Sequence, residues 1–228
     1  MWVKMHGSLR GVEEVMDQVI RAVREVIGRG LIVGTAGNIS SRIPEDKYIV
    51  ITPTAYKHVD MKRKDLVIVD MNGNIVKGKR KPSTELKLHL KIYSERSDVS
   101  AIIHTHSKYA CVLAVCRMKI PVILDEMIQK LGGEIDVAEY ALPGSIELAE
   151  NAVKALKDKN AVLLANHGVV SCGKNMDEAL ENALLVERVA EIYVFSQLIG
   201  KTKTLPMNSI EVQSKLYMHR LKLNRYPS

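Results

Sequence analysis

Ala101-Ile102-Ile103-His104-Thr105-His106 is an apolar run that ends in two imidazoles two residues apart. A strand sends residues i and i+2 to one face, so His104 and His106 point together from such a strand. A second run, Ala161-Val162-Leu163-Leu164-Ala165-Asn166, leads into His167, and Gly168 lets the chain turn there. Three histidines on strand ends, with a carboxylate, make up the ligand set of a catalytic zinc. An H-x-H pair by itself is more often two ordinary core or surface residues. Glu85, in the first turn of a helix, supplies a carboxylate, although the helix dipole alone favours an acid at that position.

The rest of the chain mixes helical and extended patterns. Leu9, Val12, Val15, Met16, Val19, Val23, Val26 and Ile27 recur at helical spacing and predict an opening helix. Strands are predicted near 38–43, 47–52 and 66–70, the last leaving through Asn72-Gly73-Asn74. Pro82-Ser83-Thr84-Glu85 opens a helix to about residue 95. After the histidine strand come a short helix near 107–117 and an irregular stretch through Pro121 and Gly132-Gly133. Residues 145–157 read as helix, 176–199 as a long helix, and 208–222 as a final amphipathic helix. Short turns between the early strands favour antiparallel pairing. The expectation is one α/β domain over 1–228, in three layers, with a mixed, largely antiparallel central sheet flanked by helices.

Composition narrows the function. The chain has 228 residues, 46% hydrophobic and 26% charged, enough for an ordinary core. No apolar run reaches the length of a bilayer span. Met1-Trp2-Val3-Lys4-Met5-His6-Gly7 lacks the apolar stretch and cleavage site of a signal peptide. Cys111, Cys116 and Cys172 form neither a disulfide framework nor a C-x-x-C pair, which fits a reducing compartment, so a cytoplasmic enzyme is expected. The net charge is +7, but its main clusters, Lys77 to Lys81 and Lys62-Arg63-Lys64, lie in polar turns. Aromatics are 4% of the chain and none interleaves with a basic patch, so anionic small molecules are expected as partners rather than nucleic acid or membrane.

Three turns suit such an anion. Gly37-Asn38 can aim backbone N–H groups outward, Thr52-Pro53-Thr54-Ala55 carries hydroxyls, and Ser83 and Thr84 begin a helix with free N–H groups. Each also has a plain reading as a cap or a turn. Their order carries more than any one of them. Gly34-Thr35-Ala36-Gly37-Asn38-Ile39-Ser40, Ile51-Thr52-Pro53-Thr54, Pro82-Ser83-Thr84-Glu85, His104-Thr105-His106 and Asn166-His167-Gly168 follow one another as in the class II aldolase and adducin-head family. The chain resembles that family from about residue 10 to about residue 200.

The resemblance implies that His104, His106, His167 and Glu85 bind zinc, or another divalent first-row ion that suits imidazole. It implies that Glu85 is the acid/base once substrate displaces it, and that Gly37, Asn38, Thr54, Ala55, Ser83 and Thr84 cradle a phosphate. The activity implied is cleavage of a ketose 1-phosphate, with L-fuculose 1-phosphate the leading candidate, to dihydroxyacetone phosphate and an aldehyde such as L-lactaldehyde. Zinc would polarise the carbonyl in place of a lysine Schiff base. A homotetramer with active sites at subunit interfaces is implied as well. Ala55 stands where the family's turn usually has glycine, and Thr84 where it has serine. In Ile123-Leu124-Asp125-Glu126-Met127-Ile128, Glu126 occupies the place of a protonating tyrosine lent by a neighbouring subunit, with Tyr140 and Tyr217 as less clear matches. Glu126 opens a second reading, dehydration of methylthioribulose 1-phosphate. A pentulose 5-phosphate 4-epimerase and a metal-free, adducin-like binding module complete the alternatives.

Overall fold

The histidine run forms β5 (Ala101–Thr105), which lies inside an eight-stranded sheet in a computed structural model that describes residues 9–44 and 47–225. The N-terminal stretch read for a signal peptide, and the Leu9 side chain, lie outside the described residues. In chain order the other elements are α1 (Leu9–Gly28), β1 (Asn38–Arg42), β2 (Tyr48–Ile51), β3 (Val67–Asp70), β4 (Ile75–Lys77) and α2 (Leu86–Glu95). After β5 come α3 (Lys108–Val115), β6 (Val137–Ala138), α4 (Ile146–Leu156), β7 (Ala161–Leu164), β8 (Gly168–Gly173), α5 (Met176–Ile199) and α6 (Met207–Arg225).

The strand order is β4-β3-β2-β1-β5-β8-β7-β6, and every pairing is antiparallel except β6 with β7. Alternation along the strands divides the core into two faces. Ile39, Ala101 and Ile103 pack against Val12, Val15, Val19 and Val23 of α1 and Met176, Ala179 and Ala183 of α5. Ile51, Val67, Ile102, Leu164 and Val170 meet Leu88 and Ile92 of α2 and Ala149, Ala152 and Leu156 of α4 on the other face. A third cluster joins α3 to the later part of α5 over Leu163 and Val169. The result is helix, sheet, helix, the layered α/β architecture expected. No helix among the described residues is long and apolar enough to cross a membrane.

Three local readings needed correction. Gly168-Val169-Val170-Ser171-Cys172-Gly173, passed over as a turn, is β8, buried along its whole length and paired with both β5 and β7. Gly168 is expected to let the chain turn, but the left-handed turn before β8 is made by Asn166 (φ 54), not by Gly168. The short strands β4 and β6 were not predicted either, being too brief to show a period. The last helix is present, but it is not amphipathic in the sense expected. Only Tyr217 and Leu221 are buried, while Val212, Leu216 and Leu223 are 60%, 63% and 58% exposed. Its seat is largely polar: Tyr217 donates to the Asp158 carbonyl at 2.9 Å, and Arg225 pairs with Asp98 and Asp158 at 2.9 and 2.7 Å.

Ile103, with no exposed surface, bridges β5 to α1 and α5. Ile103→Ala is expected to cost about 2–5 kcal/mol through lost burial and an unfilled cavity. Urea unfolding followed by circular dichroism reads that loss, and a cost well under 1 kcal/mol would contradict the packing described.

Candidate metal and anion site

Register brings the site together. β1 runs antiparallel to β5 with Asn38 opposite His104, so both side chains leave the sheet toward α2. Glu85 sits just before α2 as its N-cap residue rather than within the first turn, and its side chain makes no capping bond. The carboxylate instead reaches the histidines. Glu85 Oε2 is 3.0 Å from His104 Nε2, and Oε1 is 3.3 Å from His167 Nε2. The helix-start reading of this acid therefore gives way to a site reading. His104, His106 and His167 each offer a ring nitrogen, all within 4.8 Å of one another.

Two glycines make that convergence sterically feasible. A Cβ on Gly168 would lie 2.4 Å from the Thr105 carbonyl oxygen, 2.9 Å from His106 Cδ2 and 3.1 Å from His104 Cε1. A Cβ on Gly37 would lie 2.6 Å from the His104 carbonyl oxygen, and Gly37 also has φ +76. Any larger residue at either position pushes a loop off the histidine strand.

The donor chemistry fits a cation. His104 Nδ1–H donates to the Val169 carbonyl at 3.0 Å, which fixes Nε2 as the ring atom turned into the site. That nitrogen faces His106 Nε2 at 3.0 Å and the Glu85 carboxylate, a gathering of ligand atoms that suits a divalent cation. Glu85 Oε1 is buried without a hydrogen-bond partner. Burial, reinforced by the charge of His104, lowers His106 and His167 to about 4. Burial would raise Glu85, but the charge and hydrogen bond of His104, with help from His167 and Asn38, hold it well below the usual carboxylate range. At neutral pH the His106 and His167 rings are neutral and the acid is ionised, as metal binding requires.

The anion-cradle residues border this group. Thr54 N–H donates to the Lys81 carbonyl and Ser83 N–H to the Thr52 carbonyl, both at 3.1 Å, which ties the two hydroxyl-bearing loops together. Ser83 Oγ accepts from Glu85 N–H at 3.2 Å, while Thr84 and Ala55 are exposed. Ala55 has φ 51, so it keeps a glycine-like backbone with an alanine in place, at a strain of roughly 1 kcal/mol. The Asn38 side-chain amide is turned inward and donates to Glu85 Oε2 at 2.9 Å.

Glu126 is not brought to the histidines. Its carboxylate pairs with Arg188 of α5 at 2.8 Å, beside Lys130, Glu181 and Leu184. The Tyr217 hydroxyl is spent on docking α6, and Tyr140 is half exposed. The wall behind Glu85 escaped the sequence reading. It consists of His89, Ser40 and Tyr93, all buried. The signal was there: His89 lies one helical turn after Glu85, and Ser40 two residues along the strand from Asn38.

Three histidines that could hold a metal ion, with a buried carboxylate against them and hydroxyl-bearing loops alongside, are what a metal-assisted enzyme of phosphorylated small molecules would need. The family described as Class II Aldolase and Adducin N-terminal domain matches residues 17–194. The chain belongs to that family and stands with its lyases. It is 34% identical over 206 residues to the 5-deoxy-D-ribulose 1-phosphate aldolase of Bacillus thuringiensis serovar kurstaki, covering 90% of this chain and 96% of the relative. It is 36% identical over 193 residues to the 5-methylthioribulose-1-phosphate/5-deoxyribulose-1-phosphate aldolase of Rhodospirillum rubrum, covering 85% and 86%. A solved L-fuculose 1-phosphate aldolase superposes with a TM-score of 0.86 at 37% identity, covering 94% of this chain and 98% of that one.

Two outcomes follow from the geometry. Gly168→Ala is expected to fold less stably by about 1–3 kcal/mol and to bind Zn2+ at least about 10-fold more weakly, read by competition with a chromogenic chelator. Wild-type affinity in that variant would mean the rings do not depend on the close approach. The second concerns pH. Burial holds His89 down to about 3, with the His104 charge adding and Glu85 opposing, against an ordinary value of 6.5. Below about 6.5 the unfolded chain takes up a proton that the folded ring refuses, so stability falls as pH falls toward about 3. This ring adds about 1.4 kcal/mol per pH unit to the slope in that window. Urea unfolding of metal-free protein measures it, and the slope should shrink in His89→Gln.

Proposed function

We propose that the chain reversibly cleaves a ketose 1-phosphate to dihydroxyacetone phosphate and a short aldehyde, using a divalent cation, zinc first among them. His104, His106 and His167 would hold the ion, with Glu85 as a fourth ligand that substrate replaces. The observation that carries this reading is the meeting of three imidazoles, their ligand atoms within 4.8 Å of one another, with a buried carboxylate 3.0 and 3.3 Å from two of them.

Cleavage between C3 and C4 leaves an electron pair on the carbon next to the ketone. A cation held by the histidines supplies the Lewis acid that draws off this charge. Glu85 carries the C3 proton, taking it in the synthetic direction and returning it on cleavage, when the C4 hydroxyl gives up the matching proton to a base on the aldehyde side as the C=O forms. Its Oε1, buried and unpartnered, is the atom suited to that task. Gly37, Asn38, Thr54, Ala55, Ser83 and Thr84 would bind the phosphate through backbone N–H groups and hydroxyls. That binding fixes the ketone half at a distance from the bond that breaks.

The relatives' names support the shared half of the substrate more than the other half. 5-Deoxyribulose 1-phosphate, 5-methylthioribulose 1-phosphate and L-fuculose 1-phosphate have the same three carbons from phosphate to C3 and differ in the aldehyde released. L-Fuculose 1-phosphate and 5-deoxy-D-ribulose 1-phosphate are therefore the two substrates to compare. Methylthioribulose 1-phosphate enters as an aldol substrate rather than one for dehydration. Glu126, paired with Arg188 in its own protomer, can serve the aldehyde side only in a neighbouring subunit's site. A homotetramer belongs to the same proposal. It is supported by apolar side chains at the end of α5 and on α6, with Leu198 and Ile199 exposed at 77% and 87%. A cytoplasmic setting is supported by three free thiols.

Zinc-loaded protein is expected to release dihydroxyacetone phosphate from at least one of the two ketoses, with release abolished by a chelator. Glu85→Gln is expected to lower kcat by about 10²- to 10⁴-fold while the protein stays folded. No release from protein shown to hold zinc would end the aldolase reading, and normal turnover in Glu85→Gln would move the acid/base role elsewhere. Light scattering should give four chain masses, and a monomer at micromolar concentration would exclude shared sites.

A further inference from the structure

Glu85 is the end of a file of five buried side chains, each no more than 5% exposed. Tyr93 Oη lies 2.8 Å from Ser40 Oγ, and Ser40 Oγ lies 2.6 Å from His89 Nδ1. His89 Nε2 lies 2.5 Å from Asn38 Oδ1, and Asn38 Nδ2 donates to Glu85 Oε2 at 2.9 Å. The far end is fixed too: the Arg42 guanidinium covers the Tyr93 ring at 4.6 Å and donates to the Tyr93 carbonyl.

One end of the file dictates every proton in it. An ionised carboxylate only accepts, so Asn38 must show it the NH2 group and turn Oδ1 toward His89. His89 then carries its proton on Nε2, which leaves Nδ1 bare to accept from the Ser40 hydroxyl. Ser40 in turn accepts from the Tyr93 hydroxyl. Each group donates toward Glu85, and no member can reverse without setting two acceptors or two donors against each other. His89 touches none of the histidine cluster through a hydrogen bond, and the proposed chemistry gives it no proton to move.

We infer that His89 is a positioning residue for Glu85, acting through the Asn38 amide to fix Oε2 beside His104 and so to aim Oε1 at His167. Glu85 Oε1 is buried without a hydrogen-bond partner, 3.3 Å from His167 Nε2, so nothing but the hold on Oε2 sets its direction from behind. With the file broken, the Asn38 amide is free to turn and the carboxylate loses its fixed front and back. Deleting an outer partner of this kind typically costs 10- to 100-fold in metal affinity or activity.

The inference rests on the proposed role of Glu85, and the experiment separates the two. In 15N-labelled, metal-free protein near neutral pH, long-range proton–nitrogen spectra should show His89 as a neutral ring protonated on Nε2 alone. Its signals are assigned by their loss in His89→Gln. A ring protonated on Nδ1, or a mixture of tautomers, would overturn the inference whether or not the chain is an aldolase. His89→Leu removes the donor, whereas His89→Gln offers an amide N–H to Asn38 and a carbonyl to Ser40. His89→Leu is expected to weaken Zn2+ binding and to lower kcat, each by about 10- to 100-fold, with KM within about 3-fold. His89→Gln should recover most of both. Equal losses in the two variants, or none in either, would also overturn it. Should His89→Leu not fold, Ser40→Ala removes the link behind His89 while Glu85 and Asn38 still face Nε2, so the ring is expected to stay protonated on Nε2, and a move of the proton to Nδ1 would overturn the inference. If the unaltered zinc-loaded protein cleaves no ketose phosphate, the proposed function falls alone, and the tautomer and Zn2+ affinity still decide the role of His89.

Discussion

An ionised carboxylate buried between a sheet and a helix is the constraint that organises the rest of this protein. Glu85 is 5% exposed, and an isolated charge there would be neutralised or expelled. It persists because three groups face it: the His104 and His167 rings in front and the Asn38 amide behind. Each comes from a different part of the chain. The sheet must therefore close in one register, since sliding β1 by one residue against β5 would send Asn38 to the α1 face and leave the acid unsupported. The eight-stranded architecture is what keeps that register, with β5 held on both sides by long antiparallel partners.

The same constraint explains where the chain has no freedom of composition. Gly37 and Gly168 press against the carbonyls of His104 and Thr105, one from each neighbouring strand's loop. Their role is to let two turns approach the strand that carries His104 and leads into His106. Ala55, by contrast, tolerates a left-handed backbone in an exposed turn, where roughly 1 kcal/mol of strain meets no second obstacle. The two cases separate a glycine required by space from a position where glycine is only easier.

That distinction marks how much was legible in the sequence. His104 and His106 announced themselves because strand alternation is local, and His167 because an apolar run ends on it. The cradle loops were recognisable by their order. Gly168 was correctly noticed and wrongly explained: its neighbour Asn166 makes the turn, and a clash with residues more than sixty positions away decides the glycine. β8 was missed because its four central residues show their burial only through partners that lie in β5 and β7. His89 was hidden because its partners, Asn38 and Ser40, lie 51 and 49 residues earlier. A fully buried histidine on an apolar helix face reads locally as an exception, and only the assembled sheet supplies its purpose.

The polar file behind Glu85 lies in a layer otherwise filled by Ile, Val and Leu. An apolar core of the same volume would hold the layers together at least as well. The file survives because its members satisfy one another completely: removing one strands a buried donor or acceptor at a cost of about 1–3 kcal/mol, whereas replacing all of them together need not. Stability alone would thus allow Ser40, His89 and Tyr93 to be lost as a set. What such an apolar set would not supply is an oriented donor to the Asn38 amide oxygen, and with it a fixed direction for the Glu85 carboxylate. The network is therefore better understood as fixing direction than as adding strength.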